Sequence, residues 1–307
     1  MDQIAIQTNQ LTSHFGERGA VNKLNLAIRK GEIFSLLGTN GAGKTTTIKM
    51  LCCLLPQTSG EAFLNGFQLS KEHQEIKKII GVSPQESAIA EHLTSKENLL
   101  LMGGVFGLSS EENRKRALNL MELLEIEDRK DQAKRLSGGL QRRLSIAMVL
   151  MSDPEILFLD EPSLGLDPHA RKSVWNYIEK LKHQKTILLT THYLEEADAL
   201  SDHIAIMESG NIIAQGTSSE LKELCTKERV LTIKASSITS EIKDYCSENY
   251  GVTTLYQNEL TIQAKQFNIY TIVDYFKSQG VQLKHISMTE PSLDDVFLQL
   301  TGKERLS

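Results

Sequence analysis

Eight consecutive residues, Gly38-Thr-Asn-Gly-Ala-Gly-Lys-Thr45, constrain the fold of this chain more than any other segment. They match the pattern GxxxxGK(S/T), which here follows an apolar run at 33–37 and precedes a helix-forming run at 44–54. Glycines in such a loop let backbone N–H groups surround a phosphate, and the positive end of the helix dipole adds to the attraction. The segment therefore predicts a strand, a phosphate-binding loop and a helix. Lys44 would reach the β- and γ-phosphates of a nucleotide, and the Thr45 hydroxyl would bind Mg²⁺.

A second apolar run, at 156–159, ends in two consecutive acids, Asp160 and Glu161. A buried strand that delivers a carboxylate to its carboxyl edge beside a phosphate loop is how such folds hold Mg²⁺. On that reasoning Asp160 is the carboxylate on the metal side. Glu161, one residue on, points elsewhere and is free to polarise an attacking water. Taken alone, the motif would equally fit an ordinary strand end that carries acids.

Strand and helix predictions alternate along most of the chain, which is typical of a mostly parallel sheet covered on both faces. The predicted strands are 4–8, 24–28, 32–37, 79–83, 156–160, 186–190, 204–207 and 212–214, and the predicted helices are 44–54, 170–183 and 194–200. Apolar residues at helical spacing between 95 and 132 interrupt this alternation. We therefore expect an α/β fold with a P-loop NTPase core, an antiparallel β subdomain and a helical insertion at about 90–136. Residues 1–220 form the predicted nucleotide-binding domain.

After residue 224 the pattern changes, and residues 221–307 form a predicted accessory domain. Its predicted strands are 230–234, 252–256, 259–264 and 283–288, and its predicted helices are 238–249 and 267–280. This βαββαβ order resembles a ferredoxin-like layer and predicts a small α+β domain. A further short helix is expected at 291–300, with Ser292 as its N-cap.

Composition and charge exclude several classes of function. Lys and Arg total 34 against 39 Asp and Glu, which leaves a net charge of -5 and no broad basic field for nucleic acid. The N-terminal residues show no secretory signal, and the longest apolar stretch, 99–108, is shorter than the roughly 20 residues that span a bilayer. The four cysteines form no metal-binding pattern and favour reduced thiols in a cytosolic protein. We therefore expect no nucleic acid partner and no membrane span.

A third motif, Leu136-Ser-Gly-Gly-Leu140, opens a predicted helix shortly before the two acids. Ser137, Gly138 and Gly139 would form another helix N-terminus with exposed N–H donors, and thus a second anion site. One chain cannot easily fold this segment onto its own phosphate loop. The motif therefore predicts two copies that meet head to tail, each loop facing the Ser-Gly-Gly segment of the other.

Together these motifs resemble those of ATP-binding-cassette (ABC) ATPase subunits, over about residues 1–220. The resemblance implies ATP as the bound nucleotide, with Mg²⁺. It also implies nucleotide contacts from Phe15, Gly38, Thr39, Asn40, Gly41, Ala42, Gly43, Lys44, Thr45, Thr46, Ser137, Gly138 and Gly139. The chain departs from the family at three places. Phe15 stands where Tyr more often faces adenine, Thr39 stands where Pro is common, and Leu140 replaces the usual Gln. All three lie outside the groups that contact phosphate, so we expect little effect.

Three further segments match the family in its order. Gln85 corresponds to the glutamine that senses Mg²⁺ and the γ-phosphate and links to the membrane subunit. The segment at 163–167 corresponds to a loop that acts across the dimer, and His192 to the switch histidine that hydrogen-bonds the γ-phosphate. Singly, Gln85 would be read as a polar loop residue and His192 as a helix cap or core histidine. The resemblance implies catalytic roles for Glu161, His192, Lys44 and Gln85, and Mg²⁺ binding by Thr45, Gln85 and Asp160.

The end of the chain narrows the resemblance to ABC-2-type export ATPases, the drug- and antibiotic-resistance group. Residues 291–302 and 202–216 resemble segments of that group. A closing amphipathic helix with Leu293, Val296, Phe297 and Leu300 as its core face is the alternative interpretation of residues 291–302, and both can hold. The resemblance implies export of a drug, antibiotic or lipid-like compound, with ATP hydrolysis powering a separate integral membrane permease.

The implied partners are that permease and a second ABC ATPase subunit, most simply in a homodimer. The implied location is cytoplasmic, peripheral on the inner face of the cell membrane. An importer ATPase and a non-transport ABC ATPase that serves as an ATP-switched interaction module remain alternatives. A regulatory GTPase is disfavoured, because the segment Asn22-Lys-Leu-Asn25 ends in Asn instead of Asp and precedes the phosphate loop.

Overall fold

The computed structural model of the chain describes residues 3–16, 18–86, 88–225, 228–266 and 268–302. The chain divides into two compact units, one ending at Ser218 and the other beginning at Ser219. The sequence-based division between residues 220 and 221 falls within a helix, Ser218–Glu223. Among the described residues, no helix combines the length and the apolarity that crossing a membrane requires.

The first unit contains two sheets with helices between their strands. Its strands are β1 (Ile4–Phe15), β2 (Arg18–Arg29), β3 (Ile33–Leu37), β4 (Ser59–Leu64), β5 (Phe67–Gln68), β6 (Ile80–Ser83), β7 (Ile156–Asp160), β8 (Thr186–Thr191), β9 (His203–Glu208) and β10 (Asn211–Gly216). Its helices are α1 (Lys44–Leu51), α2 (His73–Ile79), α3 (Ser95–Val105), α4 (Ser110–Leu123), α5 (Gly138–Leu150), α6 (Pro168–Lys180) and α7 (Leu194–Leu200). Helix α8 (Ser218–Glu223) begins at the last residue of this unit, and its other residues belong to the second.

The central sheet has the order β10-β9-β3-β8-β7-β6 and is parallel except for β10, which forms a hairpin with β9. Every residue of β3, β7 and β8 is buried, as expected for parallel strands covered on both faces. Because parallel strands end at one edge, the chain segments that follow β3, β7 and β8 come together there. This edge carries the phosphate loop, the two acids and His192.

A second, antiparallel sheet has the order β2-β1-β4-β5 and shares a core with the central sheet. The sequence-based end of the first strand at residue 8 was wrong, because β1 continues to Phe15. The polar pair Asn9 and Gln10 breaks the apolar alternation, and the structure places a register shift in the same region. Gln10 has a φ of 50°, so a local irregularity interrupts the pattern without ending the strand.

The helical insertion consists of α3 and α4, which pack with α5 in a second core. Both helices begin with a side-chain cap. Thr94 and Glu97 form a capping box at α3, and the Ser109 hydroxyl accepts the Glu112 N–H at α4. A Cβ added to Gly103 would lie 2.0 Å from the Asn113 Oδ1, so a larger residue here would displace the Asn113 side chain of the neighbouring helix.

The second unit contains β11 (Arg229–Ala235), α9 (Ser240–Asn249), β12 (Val252–Tyr256), β13 (Glu259–Ala264), α10 (Ile269–Ser278), β14 (Leu283–Thr289) and α11 (Leu293–Thr301). Its sheet has the order β12-β13-β11-β14, with every pair antiparallel. This is the strand order of a ferredoxin-like layer. Ser292 caps α11 in a capping box with Asp295. Residue 267, where the sequence-based helix began, and residues 303–307 lie outside the described residues.

Candidate active site

The phosphate loop connects β3 to α1, and glycines shape both of its ends. A Cβ on Gly38 would lie 2.4 Å from the Met207 carbonyl oxygen, and one on Gly43 would lie 2.4 Å from the Ala20 carbonyl oxygen. Gly43 is the N-cap of α1 at φ 107°, and no side chain caps this helix. The first N–H groups of α1 therefore have no side-chain acceptor, which suits an anionic ligand at this end of the helix.

Lys44, the first residue of α1, is 5% exposed. Its Nζ donates to the Gly38 carbonyl oxygen at 2.7 Å and to the Thr39 carbonyl oxygen at 3.3 Å. The same Nζ lies 3.2 Å from Glu161 Oε1. The ammonium group thus lies inside the loop among three oxygen acceptors, where a phosphate oxygen could compete for it.

Asp160, the last residue of β7, accepts two hydroxyl hydrogen bonds. Thr45 Oγ1 donates to Asp160 Oδ1 at 3.1 Å, and Thr190 Oγ1 donates to the same oxygen at 2.5 Å. A hydroxyl and a carboxylate are oxygen ligands of the kind that Mg²⁺ prefers, and this ion commonly keeps water and phosphate oxygens as its remaining ligands. The described residues contain no group of three or more His, Cys, Asp or Glu side chains arranged to hold a metal. The Thr45 hydroxyl and the Asp160 carboxylate therefore fit an Mg²⁺ ion whose other ligands are phosphate oxygens and water.

Glu161 has a different set of partners from its neighbour Asp160. Its φ of 49° places it in the left-handed region, so the chain turns sharply directly after β7. The Glu161 N–H donates to the Thr190 carbonyl oxygen at 3.1 Å, which fixes the turn. The carboxylate is 6% exposed and lies 2.7 Å from His192 Nδ1 and 3.2 Å from Lys44 Nζ. A carboxylate beside an ammonium group acts as an acceptor, so we assign the proton of this contact to Nδ1.

These side chains border a cavity of about 460 Å³. Its lining consists of Phe15, Ala20, Thr39, Asn40, Gly41, Ala42, Gly43, Lys44, Thr45, Thr46, Gln85, Glu161, Leu164 and His192. Most of the predicted nucleotide and catalytic residues are thus brought together. Phe15 keeps an exposed fraction of 54%, so its ring is available to a flat ligand. Gly38 and Asp160 do not line the cavity, but they contact it through Lys44 and Thr45.

Gln85 is exposed and lines the cavity. The hydrogen bonds found for the described residues include none from its side chain to Thr45 or Asp160. Its carbonyl oxygen instead accepts a hydrogen bond from Arg142 at 3.4 Å. The structure thus brings Gln85 to the site without placing it on the two predicted metal ligands.

Ser137, Gly138 and Gly139 do not line this cavity. Ser137 is the N-cap of α5, and its Oγ accepts the Leu140 N–H at 3.4 Å. Ser137 and Gly138 are exposed, whereas a Cβ on Gly139 would lie 2.9 Å from the Ala170 Cβ. Within one chain, therefore, the first turn of α5 is a separate helix N-terminus that faces outward.

Arg142 is the main residue of the site that sequence reasoning missed. It is 5% exposed, and its guanidinium donates to the carbonyl oxygens of Pro84 at 2.6 Å, of Asp160 at 2.9 Å and of Pro162 at 2.9 Å. Burial lowers the pKa of Arg142 to about 10, and nearby carboxylates oppose this change. The side chain ties α5 to the segments that follow β6 and β7. Arg142 lies on the same face of α5 as Gly139 and Ile146, which are buried, and this helical spacing is the sequence pattern that could have indicated its burial.

Comparison with known proteins agrees with this geometry. The family model described as ABC transporter matches residues 21–164. The daunorubicin resistance ATP-binding protein DrrA2 of Streptomyces coeruleorubidus is 35% identical to this chain, over 98% of this chain and 96% of its own length. The Nod factor export ATP-binding protein I of Rhizobium sp. (strain N33) is 34% identical, over 99% of each chain.

A solved structure gives the same result over about two thirds of the chain. A dimeric ATP-binding cassette, in a post-hydrolysis state with ADP and Pi bound, matches with a TM-score of 0.62 and 29% sequence identity. The match covers 69% of this chain and 98% of that one. The phosphate loop, the acids after β7 and the full-length relatives lead to one assignment. This chain belongs to the ATP-binding proteins of ABC transporters, which bind and hydrolyse ATP.

Proposed function

We propose that this chain is the ATP-hydrolysing subunit of an ABC-2-type exporter and drives a separate integral membrane permease. The observation that carries the proposal is the joint contact of Glu161 with Lys44 and His192 beside the Thr45–Asp160 pair. Relatives named for antibiotic resistance and for export align over both units of the chain. The exported compound is accordingly a drug, an antibiotic or a lipid-like molecule.

In the proposed reaction Glu161 is the general base that accepts a proton from the attacking water. In the structure its carboxylate lies 3.2 Å from Lys44 Nζ, and both groups are buried. A γ-phosphate that enters the loop competes for Lys44, because a phosphate oxygen is a strong acceptor for an ammonium group. Glu161 then keeps the His192 contact and can accept a hydrogen bond from water. Lys44 and His192 stabilise the charge on the γ-phosphoryl group.

Thr45 and Asp160 would hold Mg²⁺, with Gln85 contributing from the cavity wall. The ion would neutralise charge on the β- and γ-phosphates. The Thr190 hydroxyl, which donates to the same Asp160 oxygen as Thr45, orients that carboxylate. Phe15 would stack on adenine, since stacking requires only the face of an aromatic ring.

Two copies of the chain would form the working ATPase. The exposed Ser137 and Gly138 point to a ligand outside their own chain, since neither lines the cavity. Each copy would thus present its α5 N-terminus to the γ-phosphate bound by the other. A similar cassette is a dimer in its solved structure. Leu140 contributes a backbone N–H to the Ser137 cap, so the replacement of Gln at this position leaves that contact intact.

The remaining parts of the chain would connect ATP hydrolysis to the permease. Gln85 and the helical insertion at about 90–136 would contact it, and the accessory domain at 221–307 would regulate or brace the dimer. These contacts would place the chain peripherally on the cytoplasmic face of the membrane. No nucleic acid takes part.

The test is co-purification of this chain with a membrane permease, followed by an ATPase assay of the complex in lipid. Drug-like and lipid-like compounds are added singly to find those that stimulate turnover. Stimulation by a compound that the complex moves out of intact cells or into inside-out vesicles supports an exporter. Transport in the opposite direction would show an importer, and a chain that binds no permease would be a non-transport ATPase.

A further inference from the structure

Glu196 is a buried acid to which the proposed reaction gives no role. It lies on α7, four residues after His192, and its exposed fraction is 0%. Its Oε1 accepts the Trp175 Nε1–H at 2.9 Å, and its Oε2 has no hydrogen-bond partner among the described residues. The Glu196 carboxylate favours the charged form of the buried Arg142 guanidinium and raises its pKa. That attraction does not require Oε2 to remain without a hydrogen bond, which destabilises a fold. Stability therefore does not account for the unpaired oxygen at this position.

A second unfilled polar atom belongs to Ser163, two residues after Glu161. The Ser163 side chain is fully buried, and within the part of the chain that the structure describes its Oγ has no hydrogen-bond partner. Burial raises the pKa of Glu196, and the nearby hydroxyls of Thr191 and Ser163 oppose this rise. The Ser163 hydroxyl is therefore close to Glu196, although it does not donate to Oε2 with hydrogen-bond geometry in this state.

Glu196 thus lies between the segments that carry the two catalytic side chains. Thr191 directly precedes His192, and the Ser163 segment directly follows the Glu161 turn. Trp175 belongs to α6, which begins after the Ser163 segment. A second contact links the same helix to the His192 segment, because the Arg171 guanidinium lies 4.0 Å from the centre of the Tyr193 ring.

We propose that Glu196 is a positioning residue for ATP hydrolysis. It holds the Ser163 segment and the His192 segment against α6, and the Ser163 Oγ–H donates to its free Oε2 in the hydrolysing state. That bond keeps Glu161 and His192, 2.7 Å apart in the structure, at a fixed separation while the γ-phosphate is attacked. Misplacement of a catalytic group by about 1 Å can reduce a rate about 100-fold. The inference rests on the ATPase activity and is independent of the direction of transport.

The first experiment measures kcat and KM for ATP in full-length Glu196→Ala and Glu196→Gln variants. Glu196→Ala is expected to lower kcat by about 30-fold through misalignment and to leave KM within twofold, because Glu196 does not line the cavity. Glu196→Gln is expected to restore kcat to within threefold of the parent, because its amide still accepts from Trp175 and can pair with Ser163. The matched control is Glu195→Ala, which removes an exposed acid from the preceding position of α7.

A second experiment separates positioning from general damage to the fold. The fraction of molecules that bind a fluorescent ATP analogue is measured for each variant. Ser163→Ala alone is expected to lower kcat by about tenfold, and adding Glu196→Ala to it is expected to cost less than a further threefold, because coupled residues are not additive.

The proposal is wrong if Glu196→Ala keeps the parent kcat, or if its loss of kcat equals its loss of nucleotide-binding molecules. It is also wrong if Ser163→Ala and Glu196→Ala reduce kcat independently. A Trp175→Phe variant provides a check that leaves Glu196 in place. Removing the indole donor is expected to lower kcat and leave KM unchanged. If this variant has the same kcat as the parent, the hydrogen bond between Trp175 of α6 and Glu196 does not position the catalytic groups.

Discussion

The two units of the chain differ in whether they bury charged side chains. Among the buried charged side chains of the first unit, Glu32 precedes β3 and pairs with His203. The other five have contacts that converge on the opposite, carboxyl edge of its parallel sheet: Lys44, Arg142, Asp160, Glu161 and Glu196. Among the described residues of the second unit, no charged side chain is buried. Since burial of a charge destabilises a fold unless partners compensate for it, the first unit retains the five groups at its carboxyl edge for chemistry. The second unit can instead be understood from packing alone.

Glu161→Gln gives the largest effect that this comparison predicts. The amide cannot accept the proton of water, so kcat is expected to fall by about 10³-fold, which corresponds to ~4 kcal/mol of transition-state stabilisation. ATP binding is retained, and dimers accumulate in gel filtration with ATP. Glu155→Gln, which alters an exposed acid just before the same strand, is the control. A Glu161→Gln protein with the parent turnover would show that another group is the base.

Lys44→Ala is expected to weaken ATP binding by about 100-fold, because the only ammonium group that lines the described cavity is lost. Affinity is measured by titration with a fluorescent nucleotide. Lys49→Ala removes an exposed lysine from the same helix, α1, and is expected to bind ATP like the parent. Equal losses in both variants would mean that the helix, and not the buried ammonium, is responsible.

In the second unit, Phe276→Leu tests whether stability and catalysis are separate. Phe276 is fully buried in the core of that unit, so the smaller side chain is expected to lower its free energy of unfolding by about 1–2 kcal/mol. The ATPase kcat of the first unit is expected to stay within twofold. Urea unfolding followed together with turnover checks both statements, with the exposed Tyr270→Ala as control. A tenfold loss of kcat would show that the second unit shapes the active site.

The smallest effect that we predict is a difference in the rates at which two cysteine thiols are chemically modified. Burial raises the pKa of Cys246 in the second unit to about 11, so at pH 8 this side chain remains an unreactive thiol. We expect a thiol reagent at pH 8 to modify half-buried Cys225 well before Cys246. In Phe276→Leu the labelling of Cys246 is expected to accelerate by about tenfold per 1.4 kcal/mol of lost stability. Equal rates at the two cysteines in the parent would contradict a closed core.

Sequence patterns correctly predicted the helices, strands and loops whose formation depends on residues that are neighbours in the sequence. The runs at 252–256 and 259–264 coincide with β12 and β13, because their side chains alternate clearly between the two faces. The phosphate loop lies between a strand and a helix as expected. Helix α2 was missed, since its seven residues, His73–Ile79, bury only Ile76 and thus show almost no apolar period.

Within the active site, the sequence predicted residues that belong to short motifs and missed a residue whose partners are far away along the chain. Lys44, Asp160 and Glu161 stand in motifs whose residues are close in sequence, so their placement was predictable. Arg142 gains its role from carbonyl groups that belong to the ends of two other strands. The helical spacing of α5 could indicate that Arg142 is buried, but it could not identify these carbonyl partners, which depend on the packing of α5 against the sheet.

The contact between Lys44 and Glu161 has a consequence for an idle molecule. Before a nucleotide arrives, the base is already engaged by the lysine, and the lysine is held by carbonyl oxygens of its own loop. On the proposed mechanism, a carboxylate that is paired with an ammonium group has little capacity to accept a proton from water. When the γ-phosphate draws Lys44 away, Glu161 would be released from that pair, so the substrate would itself activate the catalytic base.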